Sequence, residues 1–298
     1  MEKSILNNRL REACLLNFQH INMKNILVPT DFSTESLNAV NYAADMALSL
    51  NAGLHLLHVY QPPVSVYAEL PLPPAEMEKS LDSLEIRMEE LRLNLEKRTE
   101  GKISLKMEVR IGNIRIDILE VMKQVIPMLV VMGSHGAGKM ERLLLGSHTL
   151  WASRHLSCPL IIVPSGVKFQ KISRIGLAWN YRPLKDMAPL NRIREIVNTF
   201  AAELHVICIM KNSTDRLSDK LLSEATLFQE EFGDMKPHYS FIVDKEVSRA
   251  LLAFSEQQKL DMMIVIPARH DLLSSILHHS ESKDLALHSK WPLLSIHE

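Results

Sequence analysis

Cysteine is scarce in this chain. Only Cys14, Cys158 and Cys208 occur among 298 residues, with no CxxC and no paired spacing. That excludes a disulfide framework and a cysteine-rich zinc site. Cys158 and Cys208 sit in apolar runs and read as small buried hydrophobes. An excess of charge is missing too, since 34 Lys and Arg face 35 Asp and Glu. Without a basic stripe the chain does not read as a nucleic-acid binder, and Arg9 with Arg11 is too small a cluster to change that. No apolar run is long enough to span a membrane, and residues 1–22 lack the apolar centre of a secretory leader. The expectation is a cytoplasmic protein without a membrane partner. Gly-x-Ser-x-Gly, His-Glu-x-x-His and the dinucleotide Gly-x-Gly-x-x-Gly are also lacking. No nucleophile stands beside an evident base, so no catalytic residue is assigned.

What is present is an ordinary globular composition, 46% hydrophobic and 23% charged, in a length that suits about two domains. Short apolar runs at Asn25–Pro29, Leu54–Tyr60, Ser104–Ile111, Met128–Met132 and Pro159–Val163 read as strands. Between them Ser36–Leu50, Glu76–Lys97, Ile114–Gln124 and Leu143–His155 carry helical spacing. Met77, Leu81, Leu84, Met88, Leu91 and Leu95 form one apolar face of the second of these helices. The proline-rich stretch 61–74 must be a loop. Most of the 15 methionines fall at core positions of helices and strands, where packing explains them. Apolar strands alternating with helices predict an α/β fold with a parallel sheet covered on both faces.

The pattern then restarts. Arg174–Asn180 parallels the first strand, Ala201–Ile209 the second, Leu260–Ile266 the fourth and Ser289–Ile296 the fifth. Two copies in the same order predict tandem repeats, each an open five-stranded parallel sheet. The expected division is a 1–22 extension, a first domain at 23–166 and a second at 167–298. Residues 1–22 match neither repeat and are expected to be dispensable.

The informative stretch runs from Gly133 to Thr149. It leaves the C-terminal end of an apolar strand, where open α/β sheets bind ligands. Its glycines allow backbone N–H groups to approach phosphate oxygens, and Gly146-Ser147 precedes a helix, with Ser147 as the expected N-cap. The bland alternative is a glycine-rich connector without a ligand. A rival motif overlaps, because Gly133-x4-Gly138-Lys139 fits most of a P-loop. Met140 stands where that motif needs a magnesium-binding hydroxyl, and no later strand ends in a suitable Asp.

Gly133-x2-Gly136-x9-Gly146-Ser147 resembles the nucleotide loop of ATP-binding universal stress proteins. Ile26–Ser33 resembles that family's first strand and acidic turn, Leu56–Val59 its second strand, and Cys158–Val163 its last. The resemblance covers residues 23–164 by motif and 172–296 by pattern. It implies a Rossmann-like, HUP-type nucleotide-binding fold. It also implies ATP as ligand, with Mg²⁺ carried by the phosphates and no metal ligand from the protein. Pro29, Thr30 and Asp31 would lie near the adenosine, and the Val59 backbone would meet the adenine. Met132, Gly133, Gly136, Gly146, Ser147, His148 and Thr149 would line the phosphates. A regulatory stress-response protein is implied, with at most slow ATP hydrolysis and a protein partner that the sequence does not name. The alternatives are a scaffold with a vestigial site and a P-loop-like or adenine-nucleotide hydrolase. Pro29–Ser33 replaces the glycine-rich run that a PP-loop enzyme would need.

The second copy reads as degenerate. Asp31 becomes Asn180, Thr30 becomes Trp179, Gly133 becomes Pro267, and Gly146-Ser147 becomes His279-Ser280. His270, His278, His279 and His288 complete no metal spacing and read as surface or capping residues. The resemblance also implies pairing of the last strands, Leu160–Val163 with Leu293–Ile296. That would make an intramolecular pseudo-dimer and hide two strand edges. Self-association of the whole chain is left open.

Overall fold

The computed structural model describes residues 24–62, 74–135, 145–179, 188–210, 226, 228–266 and 289–296. The 1–22 extension lies outside the described residues. So do Gly136, Gly138, Lys139, Met140, Asn180, Pro267, His270, His278, His279, Ser280 and His288.

In the first half, β1 (Asn25–Pro29), β2 (Gly53–Tyr60), β3 (Leu105–Ile111), β4 (Leu129–Gly133) and β5 (Leu160–Val163) alternate with four helices. These are α1 (Thr34–Leu50), α2 (Pro74–Thr99), α3 (Ile114–Val125) and α4 (Ser147–His155). The second half repeats the scheme with β6 (Arg174–Trp179), α5 (Ala188–Phe200), β7 (Glu203–Met210), β8 (His238–Val243), α6 (Val247–Gln258), β9 (Met262–Val265) and β10 (Leu293–Ser295). The α/β expectation holds. No described helix is long and apolar enough to cross a membrane.

The two sheets are in fact one. The strand order is β3-β2-β1-β4-β5-β10-β9-β6-β7-β8. Within each half the pairing is parallel. At the seam β5 meets β10 antiparallel, with Leu293 opposite Ile162 and Ser295 opposite Leu160. The strand pairing expected of Leu160–Val163 and Leu293–Ile296 is present. The central strands β1, β4, β5 and β9 are buried almost throughout, because helices cover both faces. On one face α1, α2 and α5 pack Val40, Met46, Met88 and Ile193 against the sheet. On the other, α3, α4 and α6 contribute Ile118, Val121, Ala152 and Phe254. Both cores run across the seam.

Local signals place the helices. Ser33 caps α1, its hydroxyl accepting from the Ser36 N–H at 3.2 Å. Asn113 caps α3 through Arg115 N–H at 2.9 Å. Cys158 and Cys208 are free thiols, half-buried and buried, and burial pushes the Cys208 thiol up to about 11.

A cavity of about 680 Å³ opens beside the seam, lined by Tyr42, Gly166, Lys168, Asp261 and Ser289 among others. It contains none of the residues that the sequence assigns to nucleotide binding.

Candidate functional site

The strand order reverses between β1 and β4, since β2 and β3 lie on one side and β5 on the other. The C-terminal ends of β1 and β4 therefore open a crevice, the usual ligand position in such sheets. Thr30 and Asp31 leave β1 there, and Ser134 leaves β4.

Thr30 is buried and held on every side. Its N–H donates to the Leu57 carbonyl at 2.9 Å. Its Oγ1 accepts from the Phe32 N–H at 3.1 Å and shares a hydrogen with Ser36 Oγ at 3.1 Å. Its carbonyl accepts from His58 Nδ1 at 2.8 Å. Asp31 is exposed, and its Oδ1 accepts from the Ser33 N–H at 3.0 Å and the Ser33 hydroxyl at 2.6 Å. Phe32 turns the chain with φ 60°, a left-handed conformation. Its ring lies 4.7 Å from the His58 ring, with the Arg87 guanidinium 4.2 Å from its centroid. The acidic turn is thus preorganised.

Pro29, the last residue of β1, pairs with Leu57, and β2 runs on to Tyr60. Backbone groups alternate sides along a strand. The alternation that aims the Leu57 carbonyl at Thr30 therefore aims the Val59 backbone past the end of β1. Val59 itself is half-buried.

Met132 is buried, and Gly133 ends β4. A Cβ on Gly133 would lie 2.7 Å from the Glu35 carbonyl oxygen in the first turn of α1. Close helix–strand packing therefore requires this glycine whether or not a phosphate approaches. The Ser134 carbonyl accepts from the Gly146 N–H at 2.8 Å, and the Gly133 carbonyl accepts from Thr149 Oγ1 at 2.9 Å. These bonds bring the two ends of the glycine-rich loop together. Thr149 is buried, so its hydroxyl serves this closure.

One local expectation is corrected. Ser147 is not the N-cap of α4. Gly146 occupies that position with φ −54° and ψ 141°, no side chain among the described residues caps the helix, and Ser147 is the first helical residue. The hydroxyl preference of N-caps gave way to loop closure, because Gly146 N–H is held by Ser134. Ser147 and His148 are exposed on the first turn. Glycine at the N-cap supplies no capping side chain to the first N–H groups of α4.

Charged groups gather at the same place. Burial pushes the His148 imidazole below its ordinary range, Arg115 pushes it further, and Asp31 opposes them. Burial likewise lowers His58, against its bond to Thr30, with Arg87 lowering it and Asp31 raising it. Asp31 and Arg115 thus act electrostatically on His148, while His58 and Arg87 flank the Asp31 turn through Thr30 and Phe32. Sequence reasoning missed His58, Arg87 and Arg115. His58 had a signal, as a polar residue near the C-terminal end of an otherwise apolar strand. Arg115 had one as well, as a cation just after the Asn113 cap.

In the second half the same positions are filled. Strand register sets Trp179 where β1 leads into Thr30, and Cys208 where β2 carries His58. Trp179 is buried, with its ring 4.5 Å from Phe228. The register also corrects the counterpart of Gly133. Ile26 pairs with Leu129 as Ile175 pairs with Met262, so Ile266, not Pro267, occupies the glycine position. Pro267, a conspicuous strand breaker, lies one residue beyond that position.

Residues 22–164 match the universal stress protein family. The curated relative Universal stress protein MJ0531 of Methanocaldococcus jannaschii is 31% identical over 144 residues, covering 47% of this chain and 81% of that protein. A universal stress protein structure from Archaeoglobus fulgidus aligns with a TM-score of 0.66 at 17% identity, over 92% of this chain and 96% of its own. A putative universal stress protein from Pseudomonas aeruginosa aligns at 0.55 and 14%, over 92% and 93%. At these identities the structural likeness concerns the fold, and it extends across both halves.

Proposed function

Because this chain belongs to the universal stress protein family, we propose that its first half, residues 23–166, is a regulatory module that binds ATP at the crevice between β1 and β4. The second half, residues 167–298, has lost that site and serves as its fixed companion. Nucleotide occupancy would alter how the pair meets a protein partner in the cytoplasm. The observation that carries this reading is the pairing of β1 with β4, which sets the Asp31 turn beside the strand end where Ser134 and Gly133 hold Gly146 and Thr149 at the start of α4.

The residues fit the ligand chemically. A carboxylate accepts from ribose hydroxyls, and the Val59 backbone edge suits the adenine. N–H groups at a helix start suit phosphate. Pro29 and Thr30 hold the turn, while Met132, Gly133 and Thr149 hold the loop. Gly146, Ser147 and His148 line the phosphate side, with Gly136 assigned there from its motif. Magnesium would arrive with the phosphates and neutralise part of their charge.

Calorimetry with ATP and Mg²⁺ tests this. One equivalent per chain is expected. Gly146→Val should abolish it, costing at least ~3 kcal/mol through steric overlap and lost N–H bonds. Gly146 has ordinary backbone angles that valine also adopts, so this variant should fold. Asp31→Ala should weaken binding less, and Asn180→Ala not at all. Two equivalents, or full binding by Gly146→Val, overturns the assignment. Rapid phosphate release at excess ATP would move the protein to the hydrolase reading. A second reading, a scaffold with a vestigial site, is favoured by one observation: packing against Glu35 already accounts for Gly133. Absence of any nucleotide binding would select it.

A further inference from the structure

His205 lies on β7 and is buried, yet its Nε2 has no hydrogen-bond partner among the described residues. A buried ring nitrogen left unpaired is costly and asks for an occupant. Two potential ligands stand beside it. Glu203 is two residues earlier on the same strand, and so on the same face. Its Oε2 is 3.9 Å from His205 Nε2. His238 begins β8 directly opposite His205, with the two rings stacked at 4.8 Å. One ligand atom from each of the three lies within 4.8 Å of the others.

We propose that Glu203, His205 and His238 form a binding site for a divalent transition-metal ion, zinc foremost, which fastens the outer strand β8 to β7. Two imidazoles and a carboxylate are zinc ligands, whereas magnesium and calcium want oxygen throughout. Ligands about 2.0–2.2 Å from a tetrahedral zinc lie roughly 3.4 Å apart, so the trio closes by modest side-chain rotation. Glu203 and His238 are exposed, leaving the fourth position open to water. The site is six strands along the sheet from β1, remote from the nucleotide crevice.

The first half provides an internal control. His55 holds the position equivalent to His205, but its Nε2 donates to Glu108 at 2.7 Å, and Arg110 holds that carboxylate in turn at 2.6 Å. By register, Lys106 stands where the second half has His238, and Gly53 where it has Glu203. The second half thus lacks the histidine's protein partner and gains two metal ligands. Arg174 competes, with Nε 3.5 Å from Glu203 Oε2. That pair is exposed and weak, and Arg174 keeps a second bond to the Gln258 carbonyl at 3.1 Å.

The test uses the full chain without a histidine tag, stripped of metal and free of nucleotide. Zn²⁺ is titrated against a chromophoric chelator, and Co²⁺ binding is followed by visible absorption. One equivalent at micromolar or tighter affinity is expected. His238→Gln should weaken binding by ~100-fold or more, and Glu203→Gln by at least ~10-fold. Both side chains are exposed, so melting curves of the metal-free variants should match the parent. The proposal is overturned if no Zn²⁺ binds in the micromolar range, or if both variants bind it unchanged. The second result would place the ion on others of the 13 histidines.

Discussion

At the end of β1 the chain sets a threonine, an aspartate and, one strand over, a histidine, around a turn held by short polar bonds. At the matching end of β6 it sets a tryptophan packed on Phe228 and, one strand over, a cysteine. The two halves have the same strand order and close in the same way, but one strand end is built for polar company and the other for packing. A repeated fold keeps its core rules in both copies, because every strand must still bury its faces. The residues just past the strand ends answer to no such rule and diverge first.

The comparison can be broken by exchanging residues, beginning where the effect should be largest. Trp179→Ala removes a buried ring and should cost about 3–5 kcal/mol of unfolding free energy by chemical denaturation. ATP stoichiometry should stay at one. A second equivalent would mean that tryptophan alone closes the second site. Gly133→Ile puts the second half's residue into the first. With a Cβ only 2.7 Å from the Glu35 carbonyl, it should cost about 1–3 kcal/mol and also weaken nucleotide binding. An unchanged melting temperature would show that α1 yields easily. His58→Cys is the milder exchange. It leaves the Thr30 carbonyl without its imidazole donor and should cost roughly 1–2 kcal/mol, with a measurable loss of ATP affinity.

The smallest effect is in pH dependence. His55, His58, His135, His148 and His205 all titrate below the usual 6.5, burial being the first cause in each. The unfolded chain therefore takes up protons at higher pH than the native one. Stability should be full above about 6.5 and decline as pH falls through the lowered values. Melting curves from pH 7.5 to 5 check this, and His58→Cys should flatten part of the decline. A midpoint that rises on acidification would contradict the sign.

The strands were legible because an apolar run of five with breakers on both sides has few other readings. Asn25–Pro29 carries the same bounds in sequence and structure, and Ser33 caps α1 as a hydroxyl before a helical run should. The breaks that end the first and fourth strands, at Thr30–Ser33 and Ser134, were legible as well. The joining of the sheets was legible through the family resemblance, which implied that Leu160–Val163 and Leu293–Ile296 pair, and Leu294 meets Ile161. Two things were not. The N-cap at Gly146 depends on a bond from Ser134 across the loop, which local preference does not contain. Glu203, His205 and His238 form no sequence spacing, since parallel register alone sets His238 opposite His205.

The antiparallel seam between β5 and β10 has a consequence for how the protein responds to its own abundance. Two separate halves would meet by mass action, and any property of the pair would fade on dilution. Here one chain carries both, and the antiparallel register of Leu293–Ser295 against Leu160–Ile162 closes the joint internally. The local concentration of one half for the other is set by the chain and not by expression level. Any property that needs both halves joined is therefore insensitive to dilution of the chain.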